Sequence, residues 1–160
     1  IAVLPFVNIS DDAANEYFAD GISEELLNVL SRIRGLRVSS RTSAFSFKGV
    51  PVDIPTAARK LNVAMILEGS VRKAGSRVRI TAQLVHAATD SHLWSATYDR
   101  ELEDIFAVQD DIAHAVVTEM RGALMHEGSA APGSAQVTAT GWPRILSASR
   151  SPLSLRRLSS

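Results

Sequence analysis

Three runs decide the fold: AMILEGSVRK (64–73), RVRITAQLVH (77–86) and HLWSATYDR (92–100). In the middle run Val78, Ile80, Ala82 and Leu84 alternate with Arg77, Arg79, Thr81 and Gln83. A period of two over this length marks a strand with one buried face, as in antiparallel sheets. The first connection, Lys73-Ala74-Gly75-Ser76, places a glycine where a short hairpin needs positive φ. The second, Ala88-Thr89-Asp90-Ser91, has the Asx and Ser chemistry of a turn. The reading is a three-stranded meander with one apolar face, which the rest of the chain must cover.

Working outward, IAVLPF (1–6) is a continuous apolar run suited to a strand buried on both faces. Pro5 cannot donate to a ladder, so it belongs near the strand's end or on an unpaired side. Phe18, Ile22, Leu26, Leu30 and Ile33 recur every three or four residues and predict an amphipathic helix. Gly21 falls inside that pattern, so the helix either bends there or starts just after it, capped by Asp20 or Ser23. Leu36–Arg41 is the expected second strand, and Thr42–Val52 an ordered loop pinned by Phe45 and Phe47. Asp53-Ile54-Pro55 opens a short helix with proline in its first turn. Ile105, Val108, Ile112, Val116, Met120 and Leu124 define a last helix, from Asp104 to roughly Met125, as cover for the meander. The fold class is α/β: a mixed β-sheet from a βαβαβ unit plus the antiparallel meander, covered by helices.

The 160 residues suit one domain with a tail. Residues 1–127 are the expected α/β domain. Residues 128–160 are rich in Ser, Ala, Gly, Pro and Arg without a sustained period, and read as a disordered or aberrant tail. A frameshift or truncation is one source of such a break. Hydrophobic content of 46% and charged content of 21% are those of a soluble globular chain. Zero net charge supplies no overall field toward nucleic acid or an acidic membrane surface. With no cysteine, disulfides, thiolate metal sites and cysteine nucleophiles are excluded. No apolar run approaches the roughly 20 residues of a membrane helix. Ile1 already reads as strand, so the natural chain is expected to begin upstream.

No catalytic constellation emerges. His86, His92, His114 and His126 lack metal-ligand spacing. Neither GxxxxGK[ST], GxGxxG nor GxSxG is present. Glu68-Gly69-Ser70 sits in a strand rather than a phosphate loop, so Gly69 marks a bulge or a close approach of a neighbouring backbone. Most carboxylates fall at helix starts, where they complement the helix dipole. Arg72, Lys73, Arg77 and Arg79 form the one basic cluster of the folded part, without the interleaved aromatics of single-strand binders. Trp94 and Tyr98 share a strand face and read as core packing.

Taken in order, IAVLPF (1–6), EYFADGISEEL (16–26), LSRIRGLRVSSRTS (30–43), KGVPVDI (48–54), the run from Ala58 to Arg100 and LEDIFAVQDDIA (102–113) resemble the TolB-like amino-terminal domain. The resemblance covers Ile1 to about Leu124. It implies an α/β sandwich with a mixed sheet and no transferable catalytic residue or cofactor. Such domains accompany class III nucleotide cyclase or winged-helix domains and tetratricopeptide repeats in bacterial regulators. The function it implies is a non-catalytic sensory or interaction module of a larger, membrane-linked signalling or regulatory protein. The alternatives are the regulatory fragment of a class III adenylate cyclase and a stand-alone envelope assembly adaptor. A protein partner or small ligand is expected, with no direct nucleic-acid contact by this domain. Membrane contact would come only through an upstream segment, with the domain in periplasm or cytoplasm. Asp20, Gly21, Arg41, Ser43, Glu68 and Ser70 are the candidate ligand or partner residues, near the gathered ends of the parallel strands.

Overall fold

The computed structural model describes residues 1–129, with side chains to Ala123. The meander forms as the alternation requires. β3 (Met65–Ala74), β4 (Arg77–His86) and β5 (Ser91–Glu101) pair antiparallel in sequence order. Gly75 (φ +60°) and Asp90 (φ 49°) take the left-handed conformation at the two turns. A register shift between Leu84 and Val85 lets Trp94 face Leu84 while His92 faces Val85. β1 (Ala2–Val3) and β2 (Val7–Asn8) lie parallel to β3 on its other side. They are one edge strand interrupted at Pro5. At the interruption the Phe6 amide donates to Ser23 Oγ, 2.7 Å away and buried, in place of a sheet carbonyl.

Between β2 and β3 the chain forms a 3-10 turn (Ala13–Asn15) and three α-helices: α1 (Glu16–Ser31), α2 (Arg41–Phe45) and α3 (Ile54–Leu61). α1 runs unbroken through Gly21 and starts at Glu16, several residues before the expected caps at Asp20 or Ser23. α3 starts where predicted, with the Asp53 carboxylate accepting from the Thr56 amide and Pro55 in the first turn. α4 (Ile105–Ser129) follows β5.

The expected second strand, Leu36–Arg41, does not form. Its segment runs beside β1, but only two bonds join them: the Ile1 nitrogen donates to the Arg37 carbonyl (2.9 Å) and the Ser39 amide to the Ile1 carbonyl (3.0 Å). β1 is two residues long, so no longer ladder can build on it. Ser40 Oγ then accepts from the Ser43 amide and caps α2, which replaces the first part of the expected loop at Thr42–Val52. The mixed α/β class stands, with one parallel edge where the βαβαβ reading called for two crossovers. α4 carries through Gly128 and Ser129, the first two residues of the expected tail; the rest of that expectation, residues 130–160, lies outside the described residues.

The sheet buries both faces unequally. On one, Val3, Leu67, Val71, Val78, Ile80 and Leu84 pack against Ile22, Leu26 and Leu30 of α1 and Val108, Ile112 and Val116 of α4. Trp94 and Tyr98 lean on this same core. Across its centre runs a row of small residues, Gly69 opposite Ala82 and Ala82 opposite Ala96. The Phe6 ring fills the hollow: a Cβ on Gly69 would stand 2.7 Å from it and 2.0 Å from the Thr81 carbonyl oxygen. Register is continuous here, so Gly69 serves close approach, not a bulge. The other face is covered at one end only, where Ala57, Ala58 and Leu61 of α3 meet Ala2, Leu4 and Ile66. Beyond α3 that face is polar, with Glu68, Ser70, Arg79, Thr81, Gln83 and Thr97 partly or fully exposed.

Candidate functional site

The residues singled out by sequence fall into three places. Glu68 and Ser70 stand on the polar sheet face, two residues apart on β3. Asp20, Arg41 and Ser43 belong to the seam between α1 and the α2 turn. Gly21 lies on the neighbouring flank of α1, toward α4.

The seam is held by charge. Glu16, Asp20 and Glu24 recur every four residues and share one face of α1. Lys48 binds Asp20 directly and lies 3.6 Å from Glu16. Arg41 meets Glu24 at 3.2 Å and lays its guanidinium over the Phe45 ring, 4.3 Å from the centroid. The hydrogen bond it donates to the Asp20 carboxylate is the main reason the Lys48 ammonium titrates above the usual lysine range. Asp20 Oδ1 is buried without a hydrogen-bond partner. Ser43 is occupied by the local cap: it bonds Ser40 Oγ through its amide (3.2 Å) and hydroxyl (3.0 Å), and its carbonyl accepts from Ser46 Oγ (2.6 Å). Asp20 and Arg41 are thus brought onto one seam, but each pairs with a residue other than its fellow candidate. Sequence reasoning missed Lys48 and Glu24, although the four-residue spacing of Glu16, Asp20 and Glu24 was there to be read.

The seam forms one bank of a cleft. The turn from Phe47 to Val52 overhangs the break between β1 and β2 and leaves a groove of about 580 Å³. Leu4, Val7, Phe47, Val50 and Val52 give it apolar walls, Glu16 and Lys48 stand on its rim, and Glu68 with Gly69 forms its base. Val7 and Val50 are 60% and 51% exposed. Glu68 is half-buried, and burial is the main cause that lifts its carboxyl above the usual glutamate range, with His92 acting in the opposite sense and Asp90 reinforcing it. It has neither a hydrogen bond nor an ion pair among the described residues. The cleft occupies the interruption of one edge strand, not a row of parallel strand ends, because only one parallel edge exists.

Gly21 opens on a second, shallower groove of about 340 Å³ between α1 and α4, flanked by Tyr17 (88% exposed) and Phe106 (69% exposed). Arg79 is engaged by Asp99 at 2.7 Å and Arg77 by Glu101 at 2.8 Å, so the basic cluster read from sequence is half neutralised. Among the described residues no three His, Asp or Glu side chains converge as a metal site, and no helix is long and apolar enough to cross a membrane.

The chain is 50% identical over 121 residues to a protein of Rhizobium meliloti (strain 1021) named "Putative adenylate cyclase 3"; the match covers 76% of this chain and 21% of that protein. The chain therefore spans about a fifth of that relative's length. Its fold is similar to TolB from Acinetobacter baumannii, with a TM-score of 0.56 and 14% identity over 76% of this chain and 28% of that one. It is also similar to lipoprotein GNA1162 from Neisseria meningitidis, with a TM-score of 0.53 and 19% identity over 77% of this chain and 96% of that one. The domain is TolB-like in fold. Residues 1–115 match the family described as HilA/YgeH-like transcriptional regulator, second domain, and the chain belongs to that family.

Proposed function

We propose that this chain is a non-catalytic interaction module of a larger bacterial signalling or transcriptional-regulatory protein, and that the cleft beneath the Phe47–Val52 turn is where it receives a partner. The observation that carries the reading is the cleft itself: apolar walls left in solvent around one half-buried carboxylate with no counter-ion. Exposed apolar walls with a single oriented polar group are the make-up of a binding site. A fold keeping them for stability alone would cover the valines and pair the acid. Partner binding would bias an attached effector domain, which requires only a different affinity for the effector's two states. The regulator family and the relative with a cyclase name support the setting, and any cyclase activity would reside in another part of such a protein. DNA contact, likewise, would reside in another domain of such a regulator.

Two measurements test this. The isolated chain, supplied with ATP and Mg²⁺ or Mn²⁺, is expected to form no cyclic nucleotide; turnover would overturn the non-catalytic reading. Exchanged for the matching 121 residues of the Rhizobium meliloti relative, the chain is expected to preserve that protein's regulated output. The Val7→Asp, Val50→Asp double variant is expected to alter the output while the domain stays folded. An output indifferent to the double variant would remove the cleft from the account. The second reading, a stand-alone envelope adaptor, is favoured by one observation: GNA1162 is this fold over 96% of its length.

A further inference from the structure

Building on the reading of the cleft as a partner site, we infer that its occupant is an extended segment of a partner protein that presents one lysine or arginine between apolar residues, with the cation against Glu68 and the apolar neighbours on Val7 and Val50.

Charge argues for the cation. The groups facing Glu68 are His92 on β5, Asp90 in the turn before it, and Lys48 and Glu16 on the rim of the cleft. Lys48 is already held between Asp20 and Glu16. Among the described residues no lysine or arginine pairs with Glu68, so a cation brought from outside would meet a carboxylate that is already partly desolvated. A charge-assisted hydrogen bond formed there is stronger than one in open water. The same carboxylate repels phosphate, which disfavours a nucleic acid or an anionic bilayer as occupant. Shape argues for an extended segment. The groove opens to solvent between Val7 and Val50, and Ser70, the sheet partner of Val7, lies beside its base on the same sheet face as Glu68. A small ligand needs enclosure on most sides to bury its surface. The approach is also sterically free, because Val7 and Val50 are more than half exposed.

The test is a ¹⁵N-HSQC titration of the whole chain with end-blocked Leu-Lys-Leu, Leu-norleucine-Leu and Leu-Glu-Leu, and with n-hexylamine. Leu-Lys-Leu is expected to move the amides of Glu68, Gly69 and Val50, and to bind more tightly than the other two peptides. Glu68→Gln, which keeps shape and loses charge, is expected to weaken it by about tenfold or more, equivalent to about 1.4 kcal/mol. Asp110→Asn, on the exposed face of α4, is expected to leave it unchanged. Equal binding of the three peptides, or indifference to Glu68→Gln, would overturn the cation while leaving the apolar cleft standing. Hexylamine binding as tightly as the peptide would overturn the segment in favour of a small organic cation. If no ligand moves these amides, both the inference and the cleft reading fail. The same spectra report whether each variant is folded.

Discussion

A methyl group at Gly69 would stand 2.0 Å from the Thr81 carbonyl oxygen, a contact that only a backbone shift can relieve. Gly69→Ala is therefore expected to destabilise by about 1–3 kcal/mol or more, the range of overpacked cores. A urea midpoint equal to wild type would show that the Phe6 ring and β4 yield freely. Gly21 is the opposite case. It lies exposed within α1, its added Cβ meets nothing within 4 Å, and its φ is not positive. Gly21→Ala is expected to stabilise by about 1 kcal/mol, the helix-propensity difference, and to raise the melting temperature. Glu68 adds a pH dependence. Its carboxyl is raised from 4.5 in the fold, so the native state holds the proton more tightly than the unfolded chain. The favourable contribution is present below that reference value and is lost as pH rises through the raised folded value. Glu68→Gln should therefore melt higher than wild type at neutral pH, with the gap closing as wild-type Glu68 becomes protonated. Melting curves at both ends of this range check it, and a gap that widens toward acid would contradict the sign.

At the level of elements, the interrupted edge strand matters most. Pro5 breaks the ladder, and the Phe6 amide turns to Ser23 Oγ, which in turn donates to the Ala19 carbonyl at 3.0 Å. Strand and α1 are joined through one buried hydroxyl. Ser23→Ala leaves the buried Phe6 N–H without its acceptor and is expected to cost about 1–3 kcal/mol by denaturant titration. A substitution no costlier than those of exposed serines would mean that water reaches Phe6. The meander, α1, α3 and α4 were legible because each carries a pattern local in sequence: period two, a repeat of three or four, an Asp-x-Pro start. Leu36–Arg41 was misread for a related reason. Its composition suits a strand, but strand formation needs a partner long enough to pair with, and β1 offers two residues. The α2 helix depends on the Ser40 cap and was hidden among aromatic residues that suggested a loop.

Over the whole molecule the sheet has a thick side and a thin one. α1 and α4 cover one face over much of its area, whereas α3 covers only an end of the other. Local opening follows buried apolar contact, so amide exchange is expected to be slowest in β3 and β4 and faster in α3. Equal protection of α3 and β4 in a hydrogen-exchange time course would mean that the small cluster opens only with the global fold. The thin side is also where the cleft lies, so the surface proposed for a partner borders the part of the fold that is least committed.

The sequence alone determined the meander, the amphipathic helices and the mixed α/β class, because side-chain periodicity follows from backbone geometry without reference to distant residues. It also marked Asp20, Arg41 and Glu68 as noteworthy, through resemblance. Only the tertiary structure decided what they do. Asp20 and Arg41 are spent on Lys48 and Glu24 across the α1 seam, and Glu68 is left at the base of an apolar cleft. Those outcomes depend on which side chains meet across tens of residues, and on where a proline-broken edge leaves room. Neither is written in local pattern; both follow from the packing of the turn at Phe47–Val52 over the sheet.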